Sequence, residues 1–114
     1  MNREIKFRAW DAIEKEMVYG LTEMLKRWDE NIDDLLCMDL MEYTGLKDKN
    51  EEEIYEDDII KESNSIGIIV YNEDGFEIKW HNDNDFYNSV LKIHHLHLEI
   101  IGNVYENQEL LKGE

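Results

Sequence analysis

The stretch from Asp58 to Trp80 leaves this chain little choice of structure. Its apolar residues are mostly β-branched or aromatic, they come in short blocks, and each block ends on residues that turn. Asp58-Ile59-Ile60-Lys61-Glu62 is too short for a helix and reads as a strand, followed by the turn Ser63-Asn64-Ser65. Ile66-Gly67-Ile68-Ile69-Val70-Tyr71 has the look of a buried strand, and Asn72-Glu73-Asp74-Gly75 is a strong hairpin turn. Phe76, Ile78 and Trp80 then share one face of a third strand, with Asn82 to Asp85 as the next loop. Further on, Leu96, Leu98 and Ile100 alternate with His95, His97 and Glu99, and Val104-Tyr105 continues that strand beyond Gly102. Short strands at this spacing predict a small barrel or rolled sheet in the C-terminal half.

The N-terminal half is more mixed. Ile5-Lys6-Phe7-Arg8-Ala9-Trp10 alternates apolar and basic residues, and Met17-Val18-Tyr19 can return beside it as a β-hairpin. Its outward face is expected to carry Arg3, Lys6 and Arg8 in part. Leu21, Met24, Leu25 and Trp28 have helical spacing, with Gly20 or Thr22 near the start and Asp29 to Asp34 breaking the pattern. Leu36, Met38 and Leu40 alternate, so a strand is expected over 35–42, and Tyr43 to Asn50 reads as a loop. The fold class is therefore mostly β (β-rich α+β): an N-terminal hairpin, a short helix and a C-terminal barrel. The 114 residues are expected to form one unit, 1–114, with two small lobes, 1–42 and 43–114, as the alternative division.

Charge bears on partners rather than on fold. The chain carries 28 acidic against 12 basic residues, a formal net charge of -16. Residues 1–28 are near neutral, with 5 acidic and 6 basic residues, whereas residues 29–62 hold 14 acidic and 3 basic. So negative a chain repels phosphate backbones and anionic membranes, so neither nucleic acid nor a membrane is an expected partner. Cys37 is the single cysteine and no apolar run near Met1 resembles a signal peptide, which makes a cytoplasmic location the expectation.

A search for chemistry finds little. His94-His95-x-His97 could supply metal ligands, His95 and His97 lying on one face of the expected strand as weak candidates for a site that His81 or a nearby carboxylate would complete, against the simpler reading of a solvated strand face. Glu51-Glu52-Glu53 and Glu56-Asp57-Asp58 are dense in oxygen ligands but lack the spacing of a calcium loop. Cys37, in Leu35-Leu36-Cys37-Met38, is set for an inert buried thiol. Trp10, Trp28, Phe76, Trp80, Phe86 and Tyr87 suit core packing better than base stacking, because residues 72–90 offer only Lys79 among their acids. No catalytic residue, cofactor-binding fingerprint or cofactor is expected, and the protein is not expected to be an enzyme.

Three separated blocks carry a resemblance. Arg3-Glu4-Ile5-Lys6-Phe7-Arg8-Ala9-Trp10-Asp11 with Met17-Val18-Tyr19 is the first. Met41-Glu42-Tyr43-Thr44-Gly45-Leu46-Lys47-Asp48-Lys49-Asn50, running into Glu53-Ile54-Tyr55-Glu56, is the second. Glu99-Ile100-Ile101-Gly102-Asn103-Val104-Tyr105-Glu106-Asn107 is the third. In this order they resemble the YopX family of phage and prophage proteins. The resemblance implies a small SH3-like barrel, an uncharacterised accessory role in a bacterial host cell, and homo-oligomers, with no catalytic residue to carry over. Two positions depart from the family pattern, Glu51 and Asp57 standing where it has glycine.

The expected function is accordingly a non-catalytic protein-binding or self-assembling module. Its candidate interaction surface is Tyr43, Thr44, Gly45, Leu46, Asp48, Asn50 and Tyr55, which in the simpler reading only hold a loop together. Two alternatives are an acidic mimic of nucleic acid acting on a host enzyme, and a small metal-dependent hydrolase built on the His94–His97 face.

Overall fold

The computed structural model describes residues 4–30, 37–73, 75–81, 89–91 and 95–112. The side chains of 28–30, 89, 90 and 112 are outside that description, as are Arg3, His94, Phe86, Tyr87, the Asn82–Asp85 loop and the first residues of the strand expected over 35–42. Two compact units divide the chain, residues 1–43 and 44–114.

In the first unit, β1 (Phe7–Asp11) pairs antiparallel with β2 (Glu16–Tyr19), Ala9 lying opposite Val18. The hairpin expected from the alternation is there. The other side of β1 pairs with β3 (Met38–Lys47), Ala9 opposite Leu40. Helix α1 (Leu21–Glu30) follows at once, with the Met24 N–H donating to the Gly20 carbonyl at 3.3 Å. Glu23 in its first turn and Arg27 in its last suit the helix dipole. Met24 packs with Ala9 and Val18 in a small core flanked by Phe7 and Met38. Leu21 and Leu25, on the helix's apolar stripe, are exposed instead.

The hairpin turn is held by Asp11, whose buried Oδ1 accepts the N–H groups of Ile13 and Glu14 at 3.0 Å each. Its Oδ2 accepts from Arg27 Nη1 at 2.8 Å, while Arg27 Nη2 bonds Glu16. Arg8 corrects the expectation of an outward basic face. It is buried, its Nε directed at the Met41 sulfur at 3.4 Å, because β1 is a central strand rather than an edge.

The second unit holds the last residues of β3 with β4 (Glu53–Tyr55), and an antiparallel sheet of order β8-β7-β6-β5-β9 that curls into a half-barrel. Its strands are β5 (Asp58–Glu62), β6 (Ser65–Asn72), β7 (Gly75–Trp80), β8 (Ser89–Val90) and β9 (Glu99–Asn103). The β6–β7 hairpin closes at Asn72 opposite Gly75, and the cross-strand rings of Tyr71 and Phe76 lie 4.8 Å apart. Pairing of β5 with β9 shifts between Ile59 and Ile60, an irregularity that bends the strands. Ile54, Ile60, Ile69, Ile78, Leu91 and Leu98 form the core, with Leu46, Phe76, Trp80 and Ile100 against it. Gly67 permits that packing: a Cβ there would stand 2.7 Å from Ile78 Cγ2.

Three sequence expectations change. The segment read as a loop from Tyr43 is strand up to Lys47. His95–His97 forms a 3-10 turn, so the last strand starts at Glu99, and it ends at Asn103 with Val104-Tyr105 in a turn. Cys37 is exposed, not buried, in the turn that leads into β3. A short helix α2 (Glu109–Lys112) closes the described chain. Among the described residues no helix is long and apolar enough to cross a membrane.

Candidate functional site

The candidate segment begins at the end of β3. Thr44 is buried, donates its hydroxyl to the Ile54 carbonyl at 2.7 Å and accepts the Leu46 N–H at 3.2 Å, spanning the β3–β4 pair. Gly45 between them has φ 86°, a left-handed conformation that costs a side-chain-bearing residue about 1–2 kcal/mol. Tyr43, also buried, takes the Lys6 ammonium over its ring at 5.1 Å, and its N–H donates to the Lys6 carbonyl at 2.8 Å.

Asp48 organises the turn that follows. Its carboxylate is buried and accepts three main-chain N–H groups, from Asn50 at 2.8 Å, Glu52 at 2.9 Å and Ile100 at 3.0 Å. The Asp48 N–H donates to the Glu52 carbonyl and the Glu51 N–H to the Asp48 carbonyl, closing a three-residue hairpin loop over 49–51. Lys49 N–H donates to the Leu98 carbonyl, and His95 Nδ1 hydrogen-bonds the Lys47 carbonyl, so the loop is tied to the histidine turn and to β9 together.

The next turn repeats the device. Buried Asp58 accepts the Tyr55 N–H at 2.8 Å, Asp57 donates its N–H to the Ile69 carbonyl, and the Val104 N–H donates to the Asp57 carbonyl. The Tyr105 hydroxyl donates to the Asp57 carboxylate at 3.3 Å. Asn103 accepts the N–H groups of Tyr105 and Glu106, and its own N–H donates to Asn107 Oδ1. The second and third sequence blocks therefore adjoin, and the side chains of Thr44, Asp48, Asn103 and Asn107 serve the main chain.

Glu51 and Asp57 both take positive φ, 66° and 69°. The left-handed geometry that glycine would supply is kept, with a side chain in place.

Of the residues put forward for interaction, Tyr43, Thr44, Asp48 and Tyr55 are buried, Gly45 and Leu46 are half-buried, and Asn50 is exposed. The open surface of the segment belongs instead to Lys47, Lys49, Asn50, Glu51 and Glu52. His95 and His97 do not share a strand face, and His81 hydrogen-bonds the Leu111 carbonyl. Among the described residues no group of three or more His, Cys, Asp or Glu is placed to hold a metal ion. Sequence reasoning passed over Asp11, Asp58 and Asn103 as turn-holders; for Asp11 and Asn103 the signal was an Asp or Asn at the first position of the turn, whereas Asp58 stands at the end of its turn and accepts from a residue upstream.

Fold and site together define a β-rich protein of two small units whose buried carboxylates hold its own turns. The chain belongs to the YopX protein family, whose model matches residues 6–112. It is similar to a crystal structure of protein EF1440 from Enterococcus faecalis, with 27% identity and a TM-score of 0.62, over 96% of this chain and 99% of that one. No curated protein matches it.

Proposed function

We propose that this chain is a non-catalytic phage or prophage accessory protein that works by binding protein chains, its own copies included. One observation carries the reading. The buried polar side chains Thr44, Asp48 and Asn103 of the second and third family blocks, and Asp58 between those blocks, are engaged with main-chain groups of their own unit. A catalytic acid, base or nucleophile has to reach substrate, and these groups are spent on the backbone. Mimicry of nucleic acid is less well supported, because exposed Lys47, Lys49 and Lys61 interrupt the acidic region.

Light scattering on the purified native protein at two concentrations tests the reading. A stable oligomer is expected; a monomer at every concentration would sink self-assembly.

A further inference from the structure

Helix α1 is lightly held to its hairpin. Among its described side chains only Met24 is apolar and buried, packed with Ala9 and Val18, while Leu21 and Leu25 stay exposed. The helix touches β1 and β2 far more sparingly than those strands touch each other. Among the described residues its polar tie to the hairpin is Arg27, which reaches the buried Asp11 carboxylate at 2.8 Å through Nη1 and Glu16 through Nη2. That tie is imperfect. Arg27 Nε is buried with no hydrogen-bond partner among the described residues, a cost that the docked helix carries and that water would relieve.

The strands depend less on the helix than the helix does on them. β1 is paired along both edges, and its opposite face, with Arg8 and Met41, is buried where α1 does not reach. Asp11 keeps the N–H groups of Ile13 and Glu14 when Arg27 leaves. Between β2 and α1, Gly20 has φ 89°, and a Cβ built there would meet nothing within 4 Å, so glycine serves the backbone at this junction rather than close packing. Hinges are residues of this kind at the ends of elements. Elements with few buried apolar contacts are those that open locally while the rest of a fold stays shut. We infer that α1 is a latch that lifts from the hairpin as a unit about Gly20, with Arg27 as its catch, while β1, β2 and β3 stay paired. Lifting bares Ala9 and Val18, an apolar face that the closed form hides.

Native-state hydrogen exchange of the full chain in low concentrations of urea tests it. The amides of Leu25, Lys26 and Arg27, inside the helix, are expected to exchange together and about a hundredfold or more faster than the most protected amides of β1. Their urea dependence is expected to be shallower, because lifting the helix uncovers less surface than unfolding the unit. Met41→Leu loosens the sheet on the face away from α1; it is expected to speed β1 exchange by up to about tenfold and to leave the three helix amides unchanged. Arg27→Met removes the catch and is expected to speed the helix amides about a hundredfold. Wild-type α1 and β1 amides that share one protection and one urea slope would show a single cooperative unit and overturn the latch. Helix exchange that is unchanged in Arg27→Met would overturn Arg27 as its catch.

Discussion

Replacing Glu51 by glycine is expected to stabilise this protein, although it removes a side chain. Glu51 is the last residue of the three-residue loop held by Asp48 and has φ 66°. The left-handed conformation costs a residue with a Cβ about 1–2 kcal/mol. Glycine escapes that cost but gives back about 0.4–1 kcal/mol through its freer unfolded chain. The balance is a gain of about 0.5–1 kcal/mol, roughly 3 °C in melting temperature for a chain of this size. Glu51 is exposed, so little packing is lost. Glu51→Ala is the control: it removes the same charge and keeps the Cβ, which leaves the difference between the two variants to the backbone. Urea unfolding of both at 25 °C measures that difference. If Glu51→Gly were no more stable than Glu51→Ala, the claim that this loop carries backbone strain would be refuted. Asp57→Gly is expected to gain less, because it also surrenders the hydrogen bond from the Tyr105 hydroxyl.

Three other perturbations follow from the same structure. Asp48→Ala strands three main-chain donors, of which Ile100 N–H lies on β9, and is expected to cost about 3 kcal/mol in urea unfolding; a loss under about 1 kcal/mol would remove Asp48 as the organiser of the turn. Burial pushes the Asp11 carboxyl upward, but the Glu14 N–H, the Arg27 guanidinium and the Ile13 N–H outweigh it and hold the group below its ordinary value. Its contribution is therefore present above the unfolded carboxylate range near pH 4 and is lost as pH falls through the lower folded value. Arg27→Met leaves that carboxylate buried without its cation, costs about 3 kcal/mol or more, and moves the acid loss to higher pH in a melting series; an unchanged acid limb would show the pair to be idle. Gly67→Ala forces a methyl group against Ile78 and Trp80 and is expected to destabilise by about 1–3 kcal/mol, and a neutral result by thermal melting would mean that the core gives way there.

Much of the fold was legible because the information is local. The blocks around β5, β6 and β7 alternate or run apolar over a few residues between turn formers, and a period of two admits little but a strand. Likewise the helix could be read from Leu21, Met24 and Leu25 at helical spacing. The same rule misled at His95–His97, where alternation over so short a stretch fits a 3-10 turn as well as a strand. It also missed the strand from Tyr43 to Lys47, because Thr44, Gly45 and Asp48 carry turn chemistry and do act on turns, though from the end of a strand.

The sequence by itself determined the β-rich class, the hairpins, the family and the acidic balance, all of which depend on neighbouring residues or on composition. Tertiary structure alone decided which polar groups are buried and what they bind. Arg8 is enclosed because β1 has a partner on both sides, and Asp48 reaches Ile100, fifty-two positions further along the chain. Leu21 and Leu25 stay at the surface while Met24, between them in the chain, is covered. Spacing shows which side chains share a face; what packs against that face arrives from distant parts of the chain, and no local pattern records it.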